Sequence, residues 1–493
     1  MIRFSPWSLA LAAGLATPVA RAQAPAYHGS RPSTLEVKNV HVVKGDGTPP
    51  FGPTSVFVRD GKIAAERIER PELVLDGTGC WLLPGFVNTH GHIQDQAAGI
   101  PIASRCILEM WLACGITTVR DNGGTFPKLL RLRQRSAAHE IAAPRLLIFR
   151  GFGPVGDVKE ARERVRSFKA AGADGIKLWS NQSYDLDLLT AILQEANAAG
   201  LPTTAHIGVG PTDALDYAHA GLNCIEHWYG VPDAALDGVQ NFPADFSYSN
   251  EVDRFRWAGR LWREADPEAL QAVLQELVRL GVAWSPTFAI YEASRDVQRA
   301  QTQPWFADYA HPALAKFFTP NLEHHGSYFI GWTSADEAYW RENYRLWMDA
   351  VRRFASYGGI VTTGEDAGYI YVLHGFGLLR ELELHLEAGF HPLDVLQHAT
   401  FNGARVLGKE LEFGRVRPGL AADLVVVHGN PLENLKVFYP GGTTRLVDGK
   451  AEQTEGIRWT IKDGVVYHAP TLLAGVQAMI RAAREGKAVR EDG

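Results

Sequence analysis

A rhythm of short apolar segments alternating with amphipathic ones restricts the fold of this 493-residue chain more than any other feature. From Gly85 onward, most of the apolar segments are separated by stretches with helical periodicity, such as DVKEARERVRSFKAAGA and YDLDLLTAILQEANAAG. Eight segments have strand character, at residues 85–92, 116–121, 145–150, 175–180, 201–207, 223–228, 282–290 and 359–366. Eight β-then-α units predict an α/β protein with a (β/α)8 (TIM) barrel. A doubly wound parallel sheet uses similar units, and only the count of eight favours the barrel.

Both flanks of this region are rich in short β segments. Between Ser33 and Cys80, alternating apolar and polar runs are separated by turn residues, and RDGKI is a hairpin signal. The same pattern returns after Glu410, in GRVRPGLAADLVVVHGNPL and RWTIKDGVVYHA. Because the two ends of a barrel lie close together, we expect both flanks to form one small composite β-sandwich domain. The predicted boundaries are residues 25–84 and 410–468 for the β-domain, 85–409 for the barrel with an insertion at about 229–263, and 469–493 for a C-terminal helix and tail.

The first 24 residues differ from the rest of the chain. Arg3 is followed by the apolar run PWSLALAAGLA and then by TPVARAQA, which offers A-x-A cleavage sites ending at Ala22 and Ala24. This layout predicts a secretory signal peptide over residues 1–24, and hence a periplasmic or secreted protein. A disordered or amphipathic N-terminal arm is the alternative.

Charge and composition exclude several classes of partner. The net charge of -6 and the pI near 6.3 come without a basic stripe, so we predict no nucleic-acid partner. Beyond the first residues no window approaches about 18 continuous apolar residues, so no membrane span is expected. Four cysteines in so long a chain do not form a disulfide framework. The expected partner is a small-molecule substrate.

Two histidines one residue apart, His90 and His92 in PGFVNTHGHIQD, close the first predicted barrel strand. Residues i and i+2 of a strand point the same way, so both imidazoles can reach one metal ion. In a (β/α)8 barrel the carboxyl ends of the strands form one mouth. Further candidate ligands stand in strands four, five, six and eight: Lys177, His206, His227 and Asp366. Each alone has an ordinary structural explanation, such as a core histidine or a helix cap, but agreement among five strands predicts one metal site.

The chain resembles the amidohydrolase superfamily, in the branch of imidazolonepropionase-like enzymes, metal-dependent prolidase-type dipeptidases and ochratoxin hydrolases. Matching segments run in order through about residues 35–468: LLPGFVNTHGHI, GITTVRDNGG, AGADGIKLW, TTAHIG, CIEHW, WSPTF, TTGEDAG, LRELELHLEAGFHPLDVLQHATFNGARVLG and GRVRPGLAADLVVVHGNPLENL. The last two are characteristic of that branch. The resemblance implies a hydrolase acting on carbon–nitrogen bonds with divalent metal ions. Barrels of this group often associate, so analogy also favours a homo-oligomer.

The resemblance implies a role for each candidate ligand. His90, His92 and Asp366 would hold one divalent ion, expected to be zinc, and His206 and His227 would hold a second. Lys177 would bridge the two ions as an N6-carboxylated side chain, because the unmodified ammonium group is a poor ligand. A hydroxide bridging the ions would attack a carbonyl carbon. Asp366 would take the proton and pass it to the leaving nitrogen.

The predicted substrate is an amide or peptide-like compound, such as a short peptide or an N-acyl amino acid. The same site could act on a lactone, a carbamate or a phosphotriester, or deaminate a ring such as a cyclic amidine, and these alternatives stay open. Candidate substrate contacts lie just beyond strand ends: Tyr229, Tyr291, Tyr369, Tyr371 and His374.

Two features limit what the resemblance implies about the substrate. In GED, Glu365 stands where relatives carry a small hydroxyl residue, and it could bond to neighbouring side chains or contact the substrate. The insertion is rich in aromatic residues, which could line an apolar pocket or pack the insertion onto the barrel: Phe242, Phe246, Tyr248, Phe255, Trp257 and Trp262.

Other classes of function compete with a metal-dependent hydrolase. GFGPVG, residues 151–156, satisfies G-x-G-x-x-G after a strand and before a helix, as in dinucleotide-binding proteins. The next strand contains Lys177 and no carboxylate for a ribose, and Pro154 lacks a backbone donor, so we predict the loop after the third barrel strand instead. A non-catalytic periplasmic binding protein would leave the ligand set unexplained. We find no G-x-S-x-G elbow of a serine hydrolase.

Overall fold

The computed structural model describes residues 24–94, 100–179, 184–208, 212–236, 246, 251–319, 329–487 and 489. Except for Ala24, the predicted signal peptide lies outside these residues, and so does most of the middle of the predicted insertion. Both stay predictions. Within the described residues, no helix combines the length and the hydropathy that crossing a membrane requires.

The described part of the chain alternates strands and helices over most of its length. The strands are β1 (Thr34–Val42), β2 (Phe51–Arg59), β3 (Lys62–Ile63), β4 (Leu73–Pro84), β5 (Phe86–Gly91), β6 (Ile116–Asp121), β7 (Arg145–Phe152), β8 (Gly175–Leu178), β9 (Thr203–His206), β10 (Cys224–Glu226), β11 (Ala283–Ser285), β12 (Leu424–His428), β13 (Thr444–Val447), β14 (Lys450–Gln453), β15 (Ile457–Lys462) and β16 (Val465–His468). The helices are α1 (Ser104–Ala113), α2 (Phe126–Ala137), α3 (Val158–Ala170), α4 (Leu186–Ala198), α5 (Ala214–His219), α6 (Glu251–Ala258), α7 (Leu261–Glu264), α8 (Pro267–Arg279), α9 (Phe288–Arg295), α10 (Val297–Gln301), α11 (Phe306–Tyr309), α12 (Pro312–Phe317), α13 (Ser334–Ser356), α14 (Phe376–Glu387), α15 (Pro392–Gln397), α16 (Gly403–Val406) and α17 (Ala469–Arg484).

Seven parallel strands, β5 to β11, pair with one another in chain order. An eighth segment completes the ring. Trp284 in β11 forms a parallel bridge with Val361, and the N–H of Thr89 in β5 donates to the carbonyl oxygen of Thr363 at 2.9 Å. Helices follow the strands and cover the outside of the ring. The predicted (β/α)8 barrel is confirmed, and its carboxyl-end mouth is where side chains from many strands can meet.

Local sequence explains the strands and helices of the barrel. Strands β6 and β8 are buried along their whole length, as expected for parallel strands between a filled interior and a helical layer. Several helices begin after an aspartate whose carboxylate accepts from backbone N–H groups of the first turn, which satisfies donors that have no partner inside the helix. These residues are Asp157, Asp185, Asp213 and Asp266.

The two flanking segments combine into one β-domain, as predicted, and its strands form a single sheet where a sandwich of two sheets was expected. Its strand order is β16-β15-β12-β4-β1-β2-β3, so the strands that follow the barrel form one part of the sheet and those that precede it form the other. Hydrogen bonds between β12 and β4 join the two parts. Strand β4 pairs in parallel with β1 and antiparallel with β12. The strands form one continuous seven-stranded sheet, and β13 and β14 form a separate hairpin. Arg145 at the start of β7 bonds to Asp423 and Asp463, which ties this sheet to the barrel.

The predicted strand at residues 282–290 is wrong in its second half. Only Ala283–Ser285 is strand, and helix α9 begins at Phe288. Pro286 has no N–H to donate to a neighbouring strand, and Thr287 has a φ of 54°, which turns the chain out of the sheet. The apolar residues after this turn belong to a buried helix. A short apolar run does not by its periodicity distinguish the two structures.

Candidate metal centre

The carboxyl end of the barrel brings four imidazole rings together. His90 lies in β5 with His92 just beyond it, His206 ends β9, and His227 follows β10. The ring centroid of His90 lies 5.2 Å from that of His92 and 4.9 Å from that of His227. The centroids of His206 and His227 are 4.2 Å apart. The predicted histidines from three separate strand ends therefore form one cluster.

The carboxylate of Asp366 lies among three of these rings. Its Oδ1 is 3.1 Å from Nε2 of His92 and 3.4 Å from Nε2 of His90. Its Oδ2 is 3.8 Å from Nε2 of His227. Ligand atoms of His90, His92 and Asp366 all lie within 4.8 Å of one another, so this group could hold a metal ion. Burial raises the pKa of Asp366, but the imidazoles outweigh burial and hold the pKa well below its usual value.

The far nitrogens of two rings are engaged by hydrogen-bond partners outside the cluster. Nδ1 of His90 lies 2.5 Å from Oε2 of Glu226, and Nδ1 of His227 lies 2.6 Å from Oγ1 of Thr287. Burial lowers the pKa of both histidines, which favours the neutral form that binds metals. With the proton on Nδ1, each ring presents a bare Nε2 to Asp366. Outer partners of this kind orient the histidine ligands of metal sites.

Lys177 in β8 is buried, and its Nζ has no hydrogen-bond partner among the described residues. The nitrogen lies 5.7 Å from the centroid of the Trp179 ring. Burial lowers the pKa of Lys177 to about 8. A buried amine without a hydrogen-bond partner destabilises the folded protein unless another group interacts with it. Together with the bare imidazole nitrogens and Asp366, it fits a site for divalent metal ions.

A left-handed backbone conformation orients three side chains of the site. His227, Asp366 and Thr287 have φ values of 63°, 47° and 54°, in the left-handed region that residues other than glycine rarely occupy. Each stands directly after or near the end of a barrel strand, where a turn of this kind redirects the side chain into the mouth. Strained backbone of this kind concentrates at functional sites.

Glu226 is a site residue that the sequence did not single out. Besides His90, it accepts from the Arg120 guanidinium and the Thr204 hydroxyl, and all these groups are buried. Burial raises the pKa of Glu226, but Arg120 and His90 outweigh burial and hold the pKa well below its usual value. The available signal was a carboxylate inside the apolar strand CIEHW, directly before His227.

Three predicted tyrosine contacts border the imidazole cluster. The ring of Tyr229 stacks on His206 at 5.0 Å, and Tyr291 meets His227 edge-on at 5.5 Å. Tyr369 meets His92 edge-on at 5.7 Å. Their contact with substrate stays a prediction.

His374, the fourth predicted contact, is buried, and its Nε2 lies 3.1 Å from the carbonyl oxygen of His92. Its neighbour Tyr371 donates its hydroxyl to the carbonyl oxygen of Phe318 at 3.2 Å. Both residues thus brace the loop after Asp366, and a contact with substrate stays a prediction for each.

Trp179 is a further ring beside the cluster that the sequence analysis missed. Its ring lies 6.3 Å from that of His92, with 23° between the planes. A Cβ on Gly151 would lie 2.3 Å from Nε1 of Trp179, and one on Gly123 would lie 2.3 Å from its Cζ2. The first glycine of GFGPVG therefore makes room for this tryptophan. The segment ends β7 and leads into α3, as predicted for the loop after the third barrel strand.

Glu365 points away from Asp366 into the beginning of helix α14. It is fully buried and accepts from Nε1 of Trp111 and, at 2.7 and 3.2 Å, from the N–H groups of Gly375 and Leu378. Burial raises the pKa of Glu365 to about 8. Of the two roles left open by the sequence, the contacts favour bonding to neighbouring groups over contact with substrate.

Part of the aromatic-rich insertion packs against the tyrosines of the site. Phe255 in α6 lies 6.3 Å from Tyr229 and 5.9 Å from Tyr291. Trp262 in α7 stacks on Trp284 of the barrel at 6.5 Å. Of the other predicted rings, Phe242 and Tyr248 lie outside the described residues. Phe255 and Trp262 therefore pack the insertion against the barrel and the tyrosines of the site.

The chain combines a (β/α)8 barrel, a composite flanking sheet and, at the barrel mouth, a cluster of imidazoles and a carboxylate that could hold a metal ion. The model of the amidohydrolase family matches residues 81–241 and 347–452, just over half of the chain. The chain belongs to the amidohydrolase family. An uncharacterized protein of Mycobacterium bovis is 29% identical over 236 residues, which cover 42% of this chain and 59% of that protein.

Solved structures of related proteins share the fold. The bottromycin amidohydrolase superposes with a TM-score of 0.66 at 20% identity, covering 92% of this chain and 92% of that one. A Xaa-Pro dipeptidase with bound methionine superposes with a TM-score of 0.62 at 19% identity, covering 88% of this chain and 100% of that one. At these identities the likeness establishes the architecture alone.

Proposed function

We propose that this protein is a metal-dependent hydrolase that cleaves a C–N bond, of amide or peptide type, in a small substrate. The observation that carries the proposal is the convergence of three imidazole Nε2 atoms on the Asp366 carboxylate, beside the buried amine of Lys177. Membership in the amidohydrolase family supports the reaction class. The names of the superposed structures, an amidohydrolase and a Xaa-Pro dipeptidase, point the same way.

The ligand set divides into two parts. His90, His92 and Asp366 would hold one divalent ion, and His206 and His227 a second. Lys177 would join them after its neutral amine adds to CO2 and releases a proton, which gives an anionic carbamate with two oxygens. Bound ions of this kind supply Lewis acidity toward a carbonyl oxygen and a nucleophilic water near neutral pH. Imidazole and carboxylate ligands suit zinc.

The protein's own residues would manage the proton. Asp366 is buried except for 9% of its surface and stays ionised among the imidazoles, so it can accept a proton from the attacking water. The same carboxyl group would then deliver the proton to the leaving nitrogen. Glu226 and Thr287 would keep His90 and His227 in the tautomers that leave Nε2 bare.

The surroundings of the cluster support a substrate with an apolar or aromatic group. Trp179 and Tyr369 flank His92 from two directions, and Tyr229 stacks on His206. Aromatic side chains bury large apolar area and favour contact with other rings. A short peptide or an N-acyl amino acid that carries such a group would fit this description.

A substrate panel with defined metal content tests the proposal. The zinc-loaded protein is assayed on dipeptides, N-acyl amino acids and aryl amides, and on a lactone and a phosphotriester. We expect hydrolysis of at least one amide, loss of the rate after chelation, and its return when zinc is added. Asp366→Asn removes the proposed proton shuttle and should therefore lower kcat by about 100-fold or more. Active protein free of divalent ions, or activity on the esters alone, would overturn the proposal.

A further inference from the structure

Helix α14 places a buried carboxylate at the beginning of helix α9. Oε1 of Glu381 accepts from the N–H of Phe288 at 3.0 Å, and Oε2 accepts from the N–H of Ala289 at 2.7 Å. These are the first two residues of α9, whose own N-cap residue makes no side-chain hydrogen bond to the helix. Glu381, which is fully buried, therefore supplies from another helix what an N-cap side chain usually supplies.

The residue just before α9 contacts the candidate metal centre. Oγ1 of Thr287 lies 2.6 Å from Nδ1 of His227 and 2.6 Å from the carbonyl oxygen of Pro286. Because the hydroxyl proton goes to the carbonyl oxygen, the hydroxyl accepts the proton of His227 Nδ1. Nε2 of His227 is then bare and faces Asp366. The φ of 54° is unfavourable for a β-branched residue, so neighbouring contacts must maintain it.

Other hydrogen bonds hold Glu381 and this turn in place. Nε2 of His385 lies 3.2 Å from Oε1 of Glu381, and Nδ1 of His385 lies 3.1 Å from Nδ1 of His398. With both imidazoles neutral, His398 donates to His385 and His385 donates to Glu381. From the opposite side, the Tyr344 hydroxyl donates to the carbonyl oxygen of Phe288 at 2.6 Å. The first turn of α9 is therefore clamped between α13 and α14.

We propose that Glu381 is a positioning residue for His227. By fixing the first turn of α9, it holds Thr287 in its left-handed conformation, and Thr287 aims Nε2 of His227 into the centre. The inference rests on the proposed role of His227 as a metal ligand. Glu381 acts through two backbone amides and one hydroxyl group, and it has no contact with the imidazole cluster among the described hydrogen bonds.

A second buried pair provides a matched control. Glu292 in α9 accepts from the Arg380 guanidinium in α14 at 2.9 and 2.6 Å, so it joins the same two helices without bonding to the turn at Thr287. Glu292→Gln weakens the packing of α9 on α14. Glu381→Gln is isosteric but places an amide NH2 against one backbone N–H, which disrupts the turn itself.

Metal titration of the full-length protein separates the two effects. We expect the wild type and Glu292→Gln to bind two zinc equivalents with similar affinities. In Glu381→Gln the second equivalent should bind about 10- to 100-fold more weakly, with the first unchanged, as for the loss of an outer partner of a ligand. The absorption spectrum of the cobalt-substituted protein should change in Glu381→Gln alone. Wild-type behaviour of Glu381→Gln, or equal losses in both variants, would overturn the inference.

Two further measurements keep the test independent of the proposed function. Crystal structures of metal-free protein should show the Thr287–His227 hydrogen bond in Glu292→Gln and its loss in Glu381→Gln. Its retention in Glu381→Gln overturns the inference even if the wild type binds no metal. If Glu381→Gln does not fold, Thr287→Val should weaken the second site and Thr287→Ser should preserve it. Thr287→Val with wild-type affinity would also overturn the inference.

Discussion

Nδ1 of His90 lies 2.5 Å from Oε2 of Glu226, although 136 residues separate the two in the chain. The carboxylate holds the imidazole so that Nε2 points at Asp366, and Arg120 neutralises the buried charge from the other side. One carboxylate thus serves both the orientation of a predicted ligand and the electrostatic balance of the barrel interior. Substitution of Glu226 should therefore affect both metal binding and stability.

Glu226→Gln should weaken metal binding at His90, His92 and Asp366 by about 10- to 100-fold. The amide has one acceptor oxygen, and when this oxygen faces the Arg120 guanidinium, the NH2 group faces Nδ1 of His90 and no longer orients the ring. Thr204→Val is the matched control, since the Thr204 hydroxyl lies near the other oxygen of Glu226 and the carbonyl oxygen of Cys224 and does not contact His90. Isothermal titration with zinc measures both affinities. Equal effects of the two substitutions would contradict the assigned role. Unfolding of the apoprotein should also require about 3–5 kcal/mol less in Glu226→Gln, because the buried Arg120 guanidinium loses the negative charge that balances it.

Gly364→Ala should disrupt the centre without unfolding the barrel. A Cβ at this position would lie 2.5 Å from Cβ of His90 and 3.0 Å from its backbone nitrogen, so the eighth segment or β5 must shift. Displacement of a catalytic group by about 1 Å can lower activity by about 100-fold. In the control Gly153→Ala, the nearest atom is an Arg164 nitrogen at 3.6 Å. Activity and circular dichroism of both variants check the prediction, and an active Gly364→Ala protein would refute it.

Glu365→Ser tests which role Glu365 has. The substitution leaves the Trp111 indole and the N–H groups of Gly375 and Leu378 without their acceptor. One buried donor without a partner destabilises a protein by about 1–3 kcal/mol, so we expect at least that loss in the free energy of unfolding. Chemical denaturation measures it, with a substitution of the exposed Glu66, Glu66→Gln, as a control. Unchanged stability with a raised KM would instead indicate contact with substrate.

Because His385 is buried, the free energy of unfolding should decrease as the pH is lowered. Burial lowers the pKa of His385 to about 3 in the folded chain, against 6.5 when unfolded. The unfolded chain therefore takes up a proton as the pH falls below 6.5, and the folded chain does not until about pH 3. The contribution of His385 to stability is present above pH 6.5 and is lost toward pH 3.

His385→Gln removes this titration and keeps a donor near Glu381. The wild type should be the more stable protein at pH 8. Its advantage in the free energy of unfolding should shrink as the pH falls from 7 to 5, by at most about 1.4 kcal/mol per pH unit. Urea denaturation at each pH measures the difference. If the difference in the free energy of unfolding between the wild type and His385→Gln stays constant from pH 7 to 5, His385 does not have the lowered pKa that its burial implies.

The sequence by itself determined the barrel, the combination of the two flanks into one β-domain and the identity of the clustered histidines. These follow from local rules, because strand alternation places His90 and His92 on one side and parallel strands present their carboxyl ends at one edge. The same rules failed at Pro286 and Thr287, where an apolar run continues but the backbone turns from strand to helix.

Only the tertiary structure decided which partners orient the ligands. Thr287 and His227 are 60 residues apart, and Glu381 and Phe288 are 93 residues apart. No local period relates such residues. Their contacts depend on how the ring of strands closes and how α14 packs behind α9, which sets distances to within a few tenths of an ångström. The pattern of residue types thus specifies which groups reach the mouth, while the packing of distant elements specifies the direction in which each group points.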